Sequence, residues 1–279
     1  MNITIIGLGL IGGSMSMILR NRMPVNKIIG VDHSAENCAE ALRLGLVDEV
    51  TDLESAVRQS DLLIISIPVD ATEKILPLIL DMVDHQVVMD VGSTKAVICN
   101  AVKDHPKRSR FVASHPMWGT EFSGPSAAVM TAFANKAAVI CNKEESDEDA
   151  VKQVETVYKL LGMHIVFMKA AAHDLHTAYI SHVSHITSFA LANTVLEKEK
   201  EDDTIFELAS GGFESTVRLA KSNREMWLPI FKQNKENVLD VLNEHISQLK
   251  KFKSCLEKEN YDYLSELIGH ANTIKRILK

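Results

Sequence analysis

The 279-residue sequence holds only four cysteines, Cys38, Cys99, Cys141 and Cys255. They are dispersed and form no C-x-x-C pair, which argues against a disulfide framework or a cysteine zinc site. They read instead as small buried hydrophobes. No run of about 18 apolar residues occurs, so no membrane-spanning helix is expected. A basic leader is also missing, and strand-like sequence begins at residue 2, so the expected setting is cytoplasmic, without a signal peptide. Positive charge is in deficit: 30 Lys and Arg stand against 37 Asp and Glu, a formal net charge of −7. That balance offers no electrostatic footprint for nucleic acid. Proline is scarce in the second part of the chain, where only Pro229 follows Pro125. Internal repeats and low-complexity tracts are absent as well.

What remains is an ordinary globular composition, 46% hydrophobic and 24% charged, long enough for one large domain or two ordinary ones. Up to about residue 168 the chain alternates strand-like and helix-like pieces. The strand candidates are 2–6, 27–31, 62–66, 86–90, 111–114, 137–141 and 164–168, short runs rich in Val and Ile that suit strands buried on both faces of a parallel sheet. Helical stretches such as 13–22, 34–44 and 149–161 lie between them. The repeated order implies an α/β Rossmann-type doubly wound sheet over residues 1–168. Past Lys169 the strand-like runs stop, and an all-helical domain is expected over 169–279. Trp227, Phe231, Asn234, Val238, Val241, His245, Leu249, Phe252 and Leu256 recur at steps of three and four, as one long amphipathic helix would. A stripe that long points to a homodimer through the C-terminal helices. The charged cluster from Glu197 to Asp203 reads as a solvated turn.

The first strand runs straight into Gly7-Leu8-Gly9-Leu10-Ile11-Gly12, and the second ends on Asp32, 20 residues past Gly12. In this pattern Gly7 permits the tight turn, Gly9 lets backbone approach a pyrophosphate, and Gly12 lets the helix pack on the sheet. The helix N-terminus that follows offers free N–H groups and the positive end of a dipole to the phosphates. Asp32 can accept from a ribose 2′-hydroxyl and would repel a 2′-phosphate. The residues after it, His33-Ser34-Ala35-Glu36-Asn37, supply no cation for one. The expected cofactor is therefore NAD. In such a sheet ligands gather at the C-terminal strand ends, which carry Gly7, Asp32, Ser66-Ile67-Pro68, Gly92-Ser93 and Ser114-His115.

Four polar clusters remain. Ser93 either caps a following helix or stands beside the nicotinamide. His115, at a strand end within a loop rich in Gly and Pro, is the natural acceptor of a hydroxyl proton. The stretch from His173 to His185 holds four histidines, His173 and His176, then His182 and His185, each pair on one helix face. Without a fixed carboxylate or cysteine, H-x-x-H falls short of a metal site, and an interdomain substrate pocket is expected with no metal. His182 and His185 are expected to donate hydrogen bonds to the ligand there. Gly211-Gly212 suggests a tight chain reversal between helices, leading to Arg218, whose planar fork suits a carboxylate or a surface ion pair with a glutamate.

Taken in order, several of these segments resemble the prephenate dehydrogenase family, which includes arogenate dehydrogenases. The matches are Gly7-Leu8-Gly9-Leu10-Ile11-Gly12-Gly13-Ser14, Asp90-Val91-Gly92-Ser93-Thr94-Lys95, and His115-Pro116-Met117 with Gly119-Thr120-Glu121 and Ser123-Gly124. Further on they are His173-Asp174, Ser181-His182 with His185, Gly211-Gly212-Phe213 with Arg218, and Met226-Trp227. The resemblance implies a Rossmann domain followed by a helical dimerisation domain. It implies oxidative decarboxylation of prephenate to 4-hydroxyphenylpyruvate with NAD, in tyrosine biosynthesis. It makes His115 the acceptor of the ring 4-hydroxyl proton and Ser93 the group that orients that hydroxyl. It places Arg218 on a substrate carboxylate, Thr120 and His185 near the pyruvyl side chain, and Glu121 at the pocket mouth. Trp118 stands where many members have alanine, which narrows the pocket; Ser184 replaces a common proline, leaving its helix less kinked; Ser215 occupies a position that is often acidic. The chain ends soon after the helices, so no regulatory domain or fused mutase is expected. A β-hydroxyacid dehydrogenase would share the layout but place a catalytic lysine on the first helices of the second domain, where only Lys169 stands, at its start. A dinucleotide-sensing module would need neither His115 nor Arg218.

Overall fold

A computed structural model describes residues 1–200 and 207–277. Eight strands form one sheet in the order β3-β2-β1-β4-β5-β6-β7-β8. They are β1 (Asn2–Ile6), β2 (Lys27–Val31), β3 (Glu49–Val50), β4 (Leu62–Ile65), β5 (Val87–Asp90), β6 (Phe111–Pro116), β7 (Ala137–Cys141) and β8 (His164–Met168). Seven of them coincide with the expected segments. β3 is two residues long, too short to show any periodicity. The helices α1 (Leu10–Arg22), α2 (Ala35–Arg43), α3 (Leu53–Gln59), α4 (Val69–Met82), α5 (Ala96–Ala101) and α6 (Glu148–Leu160) cover the sheet. The chain order reverses between β1 and β4, which makes the topological switch point of a doubly wound fold. Every residue of β4 and β5 is buried, and two apolar clusters fill the two faces: one around Ile3, Ile5 and Tyr158, the other around Ile65, Leu76 and Phe111.

The expectation of a wholly parallel sheet needs correction. β6 and β7 are antiparallel, pairing His115 with Val139. Parallel neighbours need a crossover, usually a helix. Residues 117–136 contain only a short 3₁₀ turn, Pro125–Ala127, so the chain returns alongside β6. α6 then supplies a crossover, and β8 is parallel to β7.

Among the described residues, every element from Ala170 onward is helical: α7 (Ala170–Thr177), α8 (Val183–Glu199), α9 (Gly211–Val217), α10 (Arg224–Gln233), α11 (Lys235–Glu257) and α12 (Tyr261–Ala271). One turn of π-helix, Ala178–His182, joins α7 to α8, so the stretch around Ser184 stays helical. The single long helix expected from Trp227 to Leu256 is instead two. They break at Asn234, whose backbone (φ −109°, ψ 25°) leaves the helical range. Its buried side-chain amide donates to Asp174 O at 2.7 Å and to His182 Nδ1 at 3.1 Å, so a polar tie replaces an apolar stripe position. The expected reversal at Gly211-Gly212 is also corrected: both glycines lie in the first turn of α9, and neither has a positive φ. α8 continues through Glu199, so the expected turn is not seen there, and residues 201–203 of that cluster lie outside the described residues. Among the described residues no helix is long and apolar enough to cross a membrane.

Candidate active site

The fingerprint turn is shaped by contacts that exclude side chains. Gly7 has φ +97°, and a Cβ there would lie 2.4 Å from Ser66 O. A Cβ on Gly12 would lie 2.2 Å from Gly7 O. At Gly9 a Cβ would meet nothing within 4 Å, so the loop is bare on the side where a pyrophosphate would approach. α1 begins there without a side-chain cap and without an acid in its first turn, leaving its first N–H groups free for an anion. Leu8 is fully buried, and its N–H donates to Asp32 Oδ2 at 2.7 Å, while Ser34 N–H donates to Asp32 Oδ1 at 2.8 Å. Asp32 thus ties β2 to the turn while keeping lone pairs for a ribose. These residues fit a dinucleotide. Ser66 turns inward, its hydroxyl donating to Gly7 O at 2.7 Å, and Ile67 packs on Gly7. Both support the turn, and exposed Pro68 caps α4.

Three strands along the same sheet edge, β6 delivers His115. Strand spacing puts it roughly 14 Å from the β1 turn, the gap a dinucleotide lying along the edge has to bridge. Behind β6, Lys95 is fully buried against Asp90 and donates to Ser114 O at 2.7 Å. Asp90 Oδ1 accepts from Ser114 N–H at 3.2 Å. This buried pair fixes the 91–95 segment to the end of β6. Ser93 in that segment is half-buried and makes no hydrogen bond to the described residues. The expectation that it caps the next helix is corrected. α5 starts at Ala96, with Lys95 at the cap position, and its first N–H groups are taken by a residue from the other domain. Asp174 Oδ1 accepts from Lys95 N–H and Oδ2 from Ala96 N–H, both at 2.8 Å.

The histidines gather where α7 and α8 meet this edge. His115 Nδ1 lies 2.9 Å from His173 Nε2, with the rings edge-on at 70°. His173 Nδ1 lies 2.8 Å from Asp174 Oδ1. His182 Nδ1 accepts from Asn234, so its Nε2 carries the proton. His185 lies flat on Trp227, ring centroids 3.5 Å apart, and its Nδ1–H donates to Ser181 O at 3.0 Å. That overturns part of the expectation for this pair. Neutral His182 can donate to a ligand, whereas neutral His185 presents a lone pair. Burial lowers all four basicities: His182 to about 4, His115 well below its usual value with help from the nearby His173, and His173 and His185 in the same direction.

Thr120 and Glu121 lie in the loop after β6. Thr120 Oγ1 accepts from Phe122 N–H at 3.3 Å. Arg218, just after α9, donates to Glu121 Oε2 at 3.1 Å. The Glu121 carboxyl is held below its usual range by its own backbone N–H and then by Arg218. Arg218 is half exposed, which leaves other N–H groups of its fork for a ligand. Trp118 packs on Phe133, ring centroids 5.3 Å apart, and on the core. Two features escaped the sequence patterns. Trp227 looked like one more stripe residue, yet it is buried, and its indole N–H has no partner among the described residues. Asn234 sits on the same stripe, but its partners lie about 50 residues or more earlier in the chain. Lys169, which precedes the first helix of the second domain, pairs with Glu144 at the surface.

The sequence profile of the prephenate dehydrogenase nucleotide-binding domain matches residues 15–167, and that of the prephenate dehydrogenase dimerization domain matches residues 169–270. The chain is 35% identical over 266 residues to the prephenate dehydrogenase of Bacillus subtilis, covering 94% of this chain and 72% of that one. It is 30% identical to the cyclohexadienyl dehydrogenase of Zymomonas mobilis, covering 100% and 96%. The crystal structure of prephenate dehydrogenase from A. aeolicus in complex with hydroxyphenyl propionate and NAD⁺ superposes with a TM-score of 0.89 at 28% identity, covering 100% of this chain and 98% of that one. With two family profiles spanning most of its length in the expected order, the chain belongs to the prephenate dehydrogenase family.

Proposed function

We propose that this chain is an NAD-dependent dehydrogenase that converts prephenate to 4-hydroxyphenylpyruvate and carbon dioxide in tyrosine biosynthesis, in the cytoplasm. The observation that carries this is His115: a half-buried, neutral histidine at the cofactor edge, with Nδ1 engaged and Nε2 without a partner among the described residues. Bound NAD⁺ supplies the acceptor for the hydride that leaves the ring. The chain's own residues handle the proton and the carboxylates. His115 Nε2 takes the 4-hydroxyl proton, and Ser93 orients that hydroxyl with its unengaged Oγ. Arg218 turns part of its fork from Glu121 to a substrate carboxylate, and Thr120 and His185 border the side chain. Gly7, Leu8, Gly9, Leu10, Ile11, Gly12 and Asp32 hold the dinucleotide, with Ser66, Ile67 and Pro68 beside the turn.

The division of labour falls at 168/169, with the NAD-binding domain before it and the helical substrate and dimerisation domain after it. A two-fold homodimer covers the apolar positions that α11 and α12 leave exposed. One observation favours a second substrate: the lone pair that His185 presents suits the amino group of arogenate. Purified protein with NAD⁺ should release NADH and 4-hydroxyphenylpyruvate in equal amounts from prephenate. A higher kcat/KM with arogenate would move the substrate assignment, and no NADH from either would remove it. Comparable kcat/KM with NADP⁺ would contradict the role given to Asp32.

A further inference from the structure

Asp174, His173 and His115 form a chain of contacts in which each donor is forced. Asp174 already accepts from two fixed backbone donors, Lys95 N–H on Oδ1 and Ala96 N–H on Oδ2. It can therefore only accept from His173, whose Nδ1 must carry a proton. A neutral His173 then has a lone pair on Nε2, and the 2.9 Å contact closes only if His115 donates its Nδ1–H. The edge-on arrangement of the two rings suits an N–H pointing into an in-plane lone pair. Nothing here is loose. His173 and Asp174 are 1% and 2% exposed, Thr177 Oγ1 donates to both their carbonyls, and Asn234 holds Asp174 O. Burial keeps His173 neutral, as the direction of its shift requires.

We infer that His173, backed by Asp174, is a positioning residue that locks His115 in its Nδ1–H tautomer and keeps the Nε2 lone pair turned toward the reacting hydroxyl. The inference rests on the proposed role of His115. When the hydroxyl O–H breaks, its proton bonds to His115 Nε2 and the imidazole becomes an imidazolium. The Nδ1–H stays on His115, and its hydrogen bond to His173 strengthens as the charge appears. His173 keeps its own proton on Nδ1, facing Asp174. No further proton transfer is needed. The logic is that of the aspartate behind a catalytic histidine, where a wrong tautomer costs about 10⁴ in kcat. Here a second histidine stands between acid and base, which lets one carboxylate also cap α5 and tie the two domains together.

The first measurement needs no substitution in the relay. ¹⁵N-histidine-labelled protein at neutral pH, with the His115 signals assigned by their loss in His115→Asn, should show His115 protonated on Nδ1 and bare on Nε2. A proton on Nε2 overturns the inference. The second is kinetic. His173→Leu removes the acceptor and should lower kcat on the order of 10²–10³ while prephenate KM stays within about twofold. His173→Gln places an amide oxygen near the lost Nε2 and should recover kcat to within about tenfold of wild type. Equal losses in both variants, or no loss in His173→Leu, would reduce the residue to packing. If His173→Leu fails to fold, the wild-type tautomer still decides. A wild type that shows the Nδ1–H tautomer but oxidises neither prephenate nor arogenate would sink the proposed function and leave the tautomer lock standing.

Discussion

A histidine that has to take a proton at neutral pH must be neutral beforehand and must present the right nitrogen. His115 meets the first condition through burial and the second through His173. His115→Asn keeps a polar group of similar size but has no basic nitrogen, so kcat should fall on the order of 10²–10⁴. NAD⁺ affinity, measured by calorimetric titration, should stay near wild type, because the fingerprint turn lies three strands away. A variant with nearly full kcat would move the acid–base role to another group. The position of His115 was legible in the sequence: a strand end, a rigid loop and a side chain with one evident chemical use. Its partner was less so. His173 lies 58 residues on, and in the sequence it was one of four histidines on a helix, with nothing local to single it out. Ser93 shows the reverse failure. A serine after Gly92 looks like a helix cap, but the cap of α5 arrives from Asp174 across the domain junction, which no local pattern reveals.

At the scale of elements, regular segments with strong periodicity were read to within a few residues, and the errors sit where tertiary contacts override pattern. β7 runs antiparallel because the connection before it lacks a crossover helix, a property of the loop and not of the strand. The stripe from Trp227 to Leu256 keeps helical period across Asn234, so the break could not be seen; it exists because that side chain bonds Asp174 and His182. The β1–α1 turn was the most legible element, since each glycine answers a distinct steric demand. Two substitutions separate those demands. Gly12→Ala drives a methyl into Gly7 O, which should cost about 1–3 kcal/mol of stability, seen as a lower Tm. Gly9→Ala meets nothing in the protein, so Tm should hold. NAD⁺ affinity should nonetheless drop about tenfold or more, because the new methyl occupies the approach of the pyrophosphate. A Gly9→Ala protein that binds NAD⁺ like wild type would show that the dinucleotide lies elsewhere.

The whole molecule carries two properties that no single element has. The first is a set of four histidines, three of them buried and His115 half-buried, kept neutral at the domain junction. Each has a folded pKa below its unfolded value near 6.5, so the unfolded chain binds more protons as pH falls. Their contribution is therefore complete above about pH 6.5 and lost below it; for His182 the window runs from about 6.5 to about 4, on the order of 3 kcal/mol. Scanning calorimetry should find Tm level above pH 7 and falling through pH 5.5, and equal Tm values at pH 7.5 and 5.5 would contradict the burial of these groups. The second is an uncovered apolar surface. α11 is 23 residues long, yet only Val238, Val241 and Cys255 are buried in it. Leu239, Ile246, Leu249 and Leu256 on α11, with Ile268 on α12, are all exposed. These apolar side chains face outward, and monomers rarely leave an extended apolar patch to water. An isologous two-fold contact covers the same patch on both copies at once. Light scattering at micromolar concentration should give twice the chain mass. Leu249→Asp with Ile246→Asp should shift it toward the monomer while leaving the sheet domain folded by circular dichroism. A wild type that stays monomeric under those conditions would mean that another contact, or none, covers this face.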